Sequence, residues 1–120
     1  MMIEKSISES TVSPNDLAVR DLGDQVYEIV KNENIESFTR DAEDGSQEAM
    51  YRCDKTILRR EIKTREDAIV AFIRLRYTIN DEYALTNKGI EDSANPEYVA
   101  YREYVAWCKE QAGVYFGELN

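Results

Sequence analysis

The chain has 120 residues, which fits a single domain, and its 42% hydrophobic content is ordinary for a globular protein. Its 15 basic and 24 acidic side chains give a net charge of −9, which disfavours binding to a phosphate backbone or to an anionic membrane surface. No histidine is present, so Ser-His-Asp and Cys-His catalysis are excluded within the chain. We therefore expect no nucleic-acid or membrane partner, no metal and no cofactor.

The two cysteines and the N-terminal sequence bear on the compartment. Cys53 and Cys108 are too few for the usual zinc sites, and we expect both to be reduced and at least partly buried. The opening MMIEKSISES lacks the apolar segment of a signal peptide. The longest purely apolar run, residues 68–73, is far shorter than the roughly 20 residues of a membrane helix. These features favour a protein of a cytoplasm, or of something assembled there.

Residues 1–63 read as a small antiparallel β portion. MIEKSIS alternates apolar and polar side chains, which predicts a short edge strand, and the following SPND, residues 13–16, has turn chemistry. LAVRD, residues 17–21, and QVYEIVK, residues 25–31, predict two strands joined as a hairpin at Gly23-Asp24.

An acidic segment then meets a basic one. Residues 33–48 contain one base, Arg40, and we interpret them as an acidic loop turning at Gly45, with a short strand ESFTR inside it. Because the apolar content of this loop and of the N-terminal arm is low, we expect both to order on contact with other subunits. Its six acids are Glu33, Glu36, Asp41, Glu43, Asp44 and Glu48.

The following MYRCDKTILRREI predicts a strand or two, with Tyr51, Cys53 and Ile57 on one side. A hairpin across Gly45 would place the acidic and basic segments face to face. The basic side chains are the only candidates for nucleic-acid contact, and we expect the neighbouring acids to neutralise them. They are Arg52, Lys55, Arg59, Arg60 and Lys63.

Residues 64–112 predict a two- or three-helix unit. Thr64 with Asp67 resembles a capping box before a central buried helix, and Thr78 caps a second helix that stops at Gly89. Asn95-Pro96 starts a third helix, which runs to about Gln111 and ends at Gly113. Residues 113–120 form a short tail that could add a strand. The fold class is therefore α+β, with the β portion first and the helical unit second.

The polar stretch TNKGIEDSANPEY, residues 86–98, has residue types found in loops that bind a metal or a phosphate. Residues 81–92 fail the EF-hand pattern, because position 6 is Thr86 instead of glycine and position 12 is Asp92 instead of glutamate. No phosphate-binding glycine pattern occurs, and a catalytic carboxylate pair would need a cleft and a raised pKa. We interpret the stretch as a junction between two helices, and we do not expect an enzyme.

Aromatic residues are concentrated in the C-terminal part. One interpretation is core packing between the helices. The other is a partner interface, because Tyr and Trp are over-represented at binding hot spots and a small core has limited room for them. The candidate interface residues are Tyr98, Tyr101, Tyr104 and Trp107.

A family resemblance involves the same region. AFIRLRYTINDEYALTNKGIED followed by EYVAYREYVAWCKEQA resembles the C-terminal part of small bacteriophage proteins of the tail and adsorption modules, in which IRxRYSxxDExALxxK precedes EYxxYxxYVExCK. SPNDLAVRD resembles the opening of such proteins. The resemblance covers about residues 64–112 and contains no catalytic residue. It implies a virion component, or an assembly factor for a tail or fibre, located in the virion or the host cytoplasm.

Two functions follow as hypotheses. The first is a non-enzymatic phage structural or assembly protein that contacts other phage proteins or copies of itself, and we expect a homo-oligomer. The second is an acidic inhibitor of a host nucleic-acid-binding or defence protein, in which the six acids of residues 33–48 imitate the charge of DNA. The first predicts a salt-tolerant apolar interface and the second predicts salt-sensitive binding.

Overall fold

The computed structural model describes residues 2–119, except the side chain of Met2, and has the predicted α+β architecture. A four-stranded antiparallel sheet comes first and three helices follow. The chain divides into two compact units, a sheet unit of residues 1–60 and a helical unit of residues 61–120. Among the described residues, no helix is long and apolar enough to cross a membrane.

The sheet has the spatial order β1-β4-β3-β2. Strand β1 therefore lies at one edge, as MIEKSIS predicts, and pairs antiparallel with β4 from Met2–Arg59 to Ser10–Tyr51. Strand β2 is the other edge and pairs with β3 in the predicted hairpin. The bounds are β1 Met2–Ser10, β2 Leu17–Gly23, β3 Val26–Asp41 and β4 Gln47–Glu61.

The first hairpin turns where the sequence places it. Gly23, Asp24 and Gln25 all have positive φ angles, of 91°, 54° and 63°. Glycine adopts this conformation at no cost and aspartate tolerates it, which explains why the chain reverses here. The Asp21 side chain also accepts a hydrogen bond from the Gly23 N–H at 2.8 Å, and a bulge lies between the same two residues.

The acidic segment is mostly strand, so its interpretation as a loop is wrong. β3 continues to Asp41 and β4 begins at Gln47, which leaves a tight turn closed by a 2.8 Å hydrogen bond from the Ala42 N–H to the Ser46 carbonyl. Gly45 has a φ of 83° in this turn, so the predicted hairpin across Gly45 is present. The reason for the difference is pairing: β4 supplies backbone hydrogen bonds to β3, and these outweigh the low strand propensity of acidic residues.

Burial in the sheet unit does not follow one alternating face. β4 buries Met50, Cys53 and Leu58. Tyr51 and Ile57, which the sequence places on the same face as Cys53, are only half-buried. Asn34 of β3 contributes to the irregularity, because its φ of 53° interrupts the extended backbone.

Buried polar groups of the sheet unit are satisfied. The Asn32 side chain donates to the Asn15 carbonyl at 2.7 Å and accepts from the Cys53 thiol at 3.5 Å. Glu28 is buried and forms ion pairs with Arg59 at 2.8 Å and Arg20 at 3.2 Å. Burial of a carboxylate is tolerated because two guanidinium groups offset its desolvation.

The three helices begin where the sequence predicts. Thr64 and Thr78 both form complete capping boxes, with Asp67 and Asp81 at the N3 positions. Asn95 accepts hydrogen bonds from the first backbone N–H groups of the third helix, which starts at Pro96. The bounds are α1 Arg65–Arg74, α2 Ile79–Glu91 and α3 Pro96–Phe116.

Two predicted helix ends are wrong. α2 continues through Gly89 to Glu91, and α3 continues through Gly113 to Phe116, so residues 113–116 of the tail are helical and do not add a strand. Gly89 is needed inside the helix because a Cβ there would overlap the ring of Tyr98. α3 is extended past Gly113 because Phe116 is buried, and tertiary packing outweighs the low helix propensity of glycine.

Candidate functional site

The core of the helical unit is built around Phe72 of α1. Its side chain is fully buried, and its ring meets the rings of Trp107, Tyr115 and Phe116 of α3 with centroids 6.2–6.3 Å apart. Such edge-on and tilted contacts add specific geometry to apolar burial. The aromatic residues of α3 therefore fix α1 against α3.

Tyr104 belongs to this core, so its assignment to a partner interface is wrong. Its exposed fraction is only 6%, and its hydroxyl donates a 2.8 Å hydrogen bond to the Phe72 carbonyl. Its ring stacks on Trp107 with centroids 5.4 Å apart and an interplanar angle of 22°. Trp107 is half-buried and also meets Phe72 edge-on, so its main contacts are intramolecular.

Tyr101 takes part in a polar contact that fixes α2 on α3. Its hydroxyl donates to Glu82 at 2.6 Å, and the other oxygen of Glu82 pairs with Arg74 at 2.7 Å. Arg74 in turn donates to the Tyr77 carbonyl, which follows α1. Burial, reinforced by the hydrogen bond to Glu82, raises the pKa of Tyr101 to about 12. One network thus links all three helices.

Tyr98 of α3 packs against Gly89 of α2. Its ring occupies the space that a side chain at residue 89 would fill, so only glycine lets α2 come this near. Arg102 stacks over the same ring at 5.8 Å. The four candidate residues therefore all have contacts within their own unit, and they brace α2 and α1 against α3.

The bracing leaves one face of α2 open. Ile79, Tyr83 and Ile90 are exposed by 56%, 69% and 78% of their surface. At 100° per residue they fall within roughly 40° of one another around the helix axis, and they span about 16 Å along it. Exposed Thr86 lies between them on the same face. We call Ile79, Tyr83, Thr86 and Ile90 the α2 stripe.

The α2 stripe is exposed because other positions of the helix contact α3. Leu85 is buried on the side roughly opposite the stripe, and Glu82 and Gly89, beside the stripe, make the contacts with α3 described above. Lys88 pairs with Glu97 of α3 at 2.7 Å. An α-helix held by such contacts presents its exposed residues on a rigid framework, so the α2 stripe is an ordered, solvent-exposed apolar surface.

The sequence contained the signal for the α2 stripe. Ile79, Tyr83 and Ile90 are spaced by four and seven residues, which is the period of a single helix face. Leu85 belongs to a second face, so α2 has two apolar faces where a surface helix needs only one. The concentration of aromatic residues in α3 predicts an interface on that helix instead.

Asp41, Glu43, Asp44 and Glu48 lie in or beside the turn between β3 and β4, whereas Glu33 and Glu36 lie further back along β3. Glu33, Glu36, Asp41, Glu43 and Asp44 are exposed, and Glu48 is half-buried and pairs with Arg40 at 3.1 Å. Hydrogen bonds from Ser46 hold the pKa of Asp44 below its usual value. This end of the hairpin is therefore an exposed negative surface.

Basic residues of β4 form ion pairs, but their partners are not the acids of residues 33–48. Arg52 pairs with Glu9 of β1 at 3.0 Å, and Arg59 pairs with Glu28 of β3 and Glu4 of β1. The expected neutralisation is therefore present for these two residues. The acids responsible come from β1 and from the first half of β3.

A shallow cleft lies between α2 and α3. It is lined by Asp81, Lys88 and Glu97, among others, and the last two neutralise each other. Hydrogen bonds with Thr78, above all the one that the Asp81 carboxylate accepts from the Thr78 N–H, lower the pKa of Asp81, the direction opposite to that of a general acid. Within residues 2–119, no group of three or more metal-binding side chains is clustered.

Comparison with known proteins adds no relative. No protein-family model matches the chain, and no curated protein and no solved structure matches it either.

Proposed function

We propose that this chain is a non-enzymatic protein of a bacteriophage, structural or assembly-related, that acts through protein–protein contacts made by the α2 stripe. The observation that carries the proposal is the exposure of Ile79, Tyr83 and Ile90 on one face of a braced helix. Aligned apolar side chains that remain in water are characteristic of interaction surfaces.

The geometry of the α2 stripe suits one mode of recognition. An amphipathic helix that binds a hydrophobic groove uses anchors spaced by three, four or seven residues along one face. Ile79, Tyr83 and Ile90 have this spacing, and Tyr83 adds a large aromatic side chain with few rotatable bonds. Because α2 is already held by Glu82 and Gly89, little conformational entropy is lost on binding.

The assignment to a bacteriophage rests on the sequence resemblance. Several residues that match the resemblance pattern are those that brace the helices, including Arg74, Glu82, Tyr98 and Tyr101. The pattern leaves open the positions of Ile79 and Tyr83, which point outward. A helical framework that is common to such proteins, with outward-facing residues that differ between them, suits proteins that bind different neighbours in a particle.

A second candidate function has its own observation. The exposed carboxylates around the β3–β4 turn form a negative surface at one end of the sheet unit. An acidic inhibitor of a host nucleic-acid-binding or defence protein would use this surface, and its binding would weaken as salt screens the charges.

Affinity capture of the tagged chain from cells that produce it distinguishes the two. Beads are washed at low and then high salt, and retained proteins are identified by mass spectrometry. The assembly proposal predicts phage tail, fibre or capsid proteins that survive high salt. The inhibitor alternative predicts a basic host protein that is lost at high salt. Retention of neither kind of protein contradicts both.

Matched variants locate the surface. Tyr83→Ser with Ile90→Ser removes two anchors of the α2 stripe, and Val114→Ser is the control because Val114 of α3 is also 69% exposed. For the acidic surface, Glu43→Gln with Asp44→Asn is compared with Glu110→Gln, an exposed acid of α3. The assembly proposal predicts that only the first pair of substitutions releases the retained phage proteins.

A further inference from the structure

The two edges of the sheet differ in how they are protected. β2 has a bulge between Asp21 and Gly23, a device that turns an edge away from pairing. β1 pairs with β4 at every position from Met2 to Ser10 without a register shift, and its sequence has no proline. Its outer side therefore presents an unbroken row of backbone donors and acceptors.

The side chains of β1 on one face are Ile3, Lys5, Ile7 and Glu9, because alternate residues of a strand share a face. Ile7 is 70% exposed, and both Lys5 and Glu9 are exposed. Within residues 2–119 Lys5 has no ion-pair partner, while Glu9 pairs with Arg52. An apolar residue is thus flanked by a cation on one side and an anion on the other.

Symmetry restricts how β1 can pair with a second copy of itself. In an antiparallel pair with a two-fold axis, one residue faces its own copy, and residues at equal distances on either side face each other. With Glu4 or Lys5 at the centre, that residue faces its own copy and two like charges are opposed. With Ser6 at the centre, every charged residue faces an uncharged one. With Ser8 at the centre, Glu9 faces Ile7.

Only the arrangement centred on Ile7 joins opposite charges. It places Ile7 against Ile7 of the second copy, Lys5 against Glu9 in both directions, and Ser6 against Ser8. Directly opposed charges of opposite sign stabilise a sheet, and like charges destabilise it. Pairing extends from residue 4 to residue 10.

We propose that the chain forms a two-fold symmetric dimer through antiparallel pairing of β1 with β1 of a second copy, centred on Ile7. The two four-stranded sheets become one continuous sheet of eight strands. Ile7 leaves water, and each Lys5 gains a carboxylate that it lacks in the single chain. This edge is separate from the α2 stripe, so the dimer and the proposed function can fail independently.

Reversing the charges at Lys5 and Glu9 in the full chain tests the pairing of β1 centred on Ile7. Sedimentation velocity at micromolar concentrations is expected to show a dimer for the unaltered chain. Lys5→Glu and Glu9→Lys each create two like-charge contacts and are expected to weaken the dimer about tenfold or more. Mixing the two single variants, or combining both substitutions in one chain, is expected to restore it.

The mixture separates the proposal from simple misfolding, because a misfolded variant is not rescued by a partner of opposite charge. Glu36→Lys, on an interior strand, is the control for charge alone and is expected to leave the dimer intact. A monomer for the unaltered chain overturns the proposal. So does a dimer that survives both single substitutions, or single variants that stay monomeric when mixed.

Discussion

Replacing Tyr104 by phenylalanine isolates one hydrogen bond in the core of the helical unit. The substitution removes the hydroxyl that donates to the Phe72 carbonyl at 2.8 Å but keeps the ring stacked on Trp107. The Phe72 carbonyl also accepts from the Leu75 N–H at 3.3 Å, so it is not left without a donor. We therefore expect a loss of about 1 kcal/mol in the free energy of unfolding, the net value of one hydrogen bond.

Removing the ring as well should cost much more. Tyr104→Ala deletes a buried side chain that is only 6% exposed, and large-to-small aromatic substitutions in cores cost about 3–5 kcal/mol. The difference between the two variants measures the ring packing separately from the hydroxyl. A large difference is expected because the Tyr104 ring is packed within its own core.

Urea unfolding followed by tryptophan fluorescence is the assay. Trp107 is the single tryptophan and stacks on Tyr104, so its emission reports on the helical unit. A shift of the midpoint at unchanged slope gives the change in free energy. Tyr83→Phe is the matched control, because it removes the same hydroxyl from a residue that is 69% exposed. An equal loss in the free energy of unfolding for Tyr104→Phe and Tyr83→Phe would refute a stabilising role of the hydrogen bond from Tyr104 to the Phe72 carbonyl.

Three further predictions concern the bracing of α2. Tyr101 keeps its proton to about pH 12 in the folded chain, whereas an unfolded tyrosine releases it near 10, so stability should fall between these values as the pH rises. A spectrophotometric titration should show a late-titrating phenol whose contribution Tyr101→Phe removes. Thr78→Ala deletes a cap and should cost about 1 kcal/mol in urea unfolding, whereas an unchanged midpoint would contradict the capping role. Glu82→Gln leaves Arg74 without its carboxylate and should lower the free energy of unfolding by about 1–3 kcal/mol. The same substitution should cost less in a chain that already carries Arg74→Met, because the ion pair is then absent.

The helix starts could be predicted from the sequence because they are encoded locally. Thr64, Thr78 and Asn95 accept hydrogen bonds from backbone groups only two or three residues away, so a short window contains the whole signal. The first hairpin is similar, since its turn at Gly23 depends on neighbouring residues.

The helix ends and the acidic strand depend on distant residues. Gly89 resembles a stop signal, but it is a contact point for Tyr98, which lies nine residues further along the chain. The second half of β3 is extended because β4 pairs with it, and β4 begins only after the turn at residues 42–46. Local propensity cannot reveal either interaction.

In the candidate site, too, some features are encoded locally and others depend on distant residues. The aromatic residues of α3 stand out in the sequence, but whether Tyr104 faces the core or a partner depends on the position of Phe72 on another helix. The α2 stripe could have been found from its spacing once α2 was assigned. That Ile79, Tyr83 and Ile90 face solvent follows only from the way Glu82, Leu85 and Gly89 face α3.

The most direct test of the proposed function is quantitative capture at high salt with the α2 stripe altered. The tagged unaltered chain, Tyr83→Ser with Ile90→Ser, and Val114→Ser are compared in the same producing cells, and the retained phage structural proteins are measured by mass spectrometry. The proposal predicts that these proteins are retained by the unaltered chain and by Val114→Ser and are lost with the paired substitution. Equal retention by all three chains would contradict it.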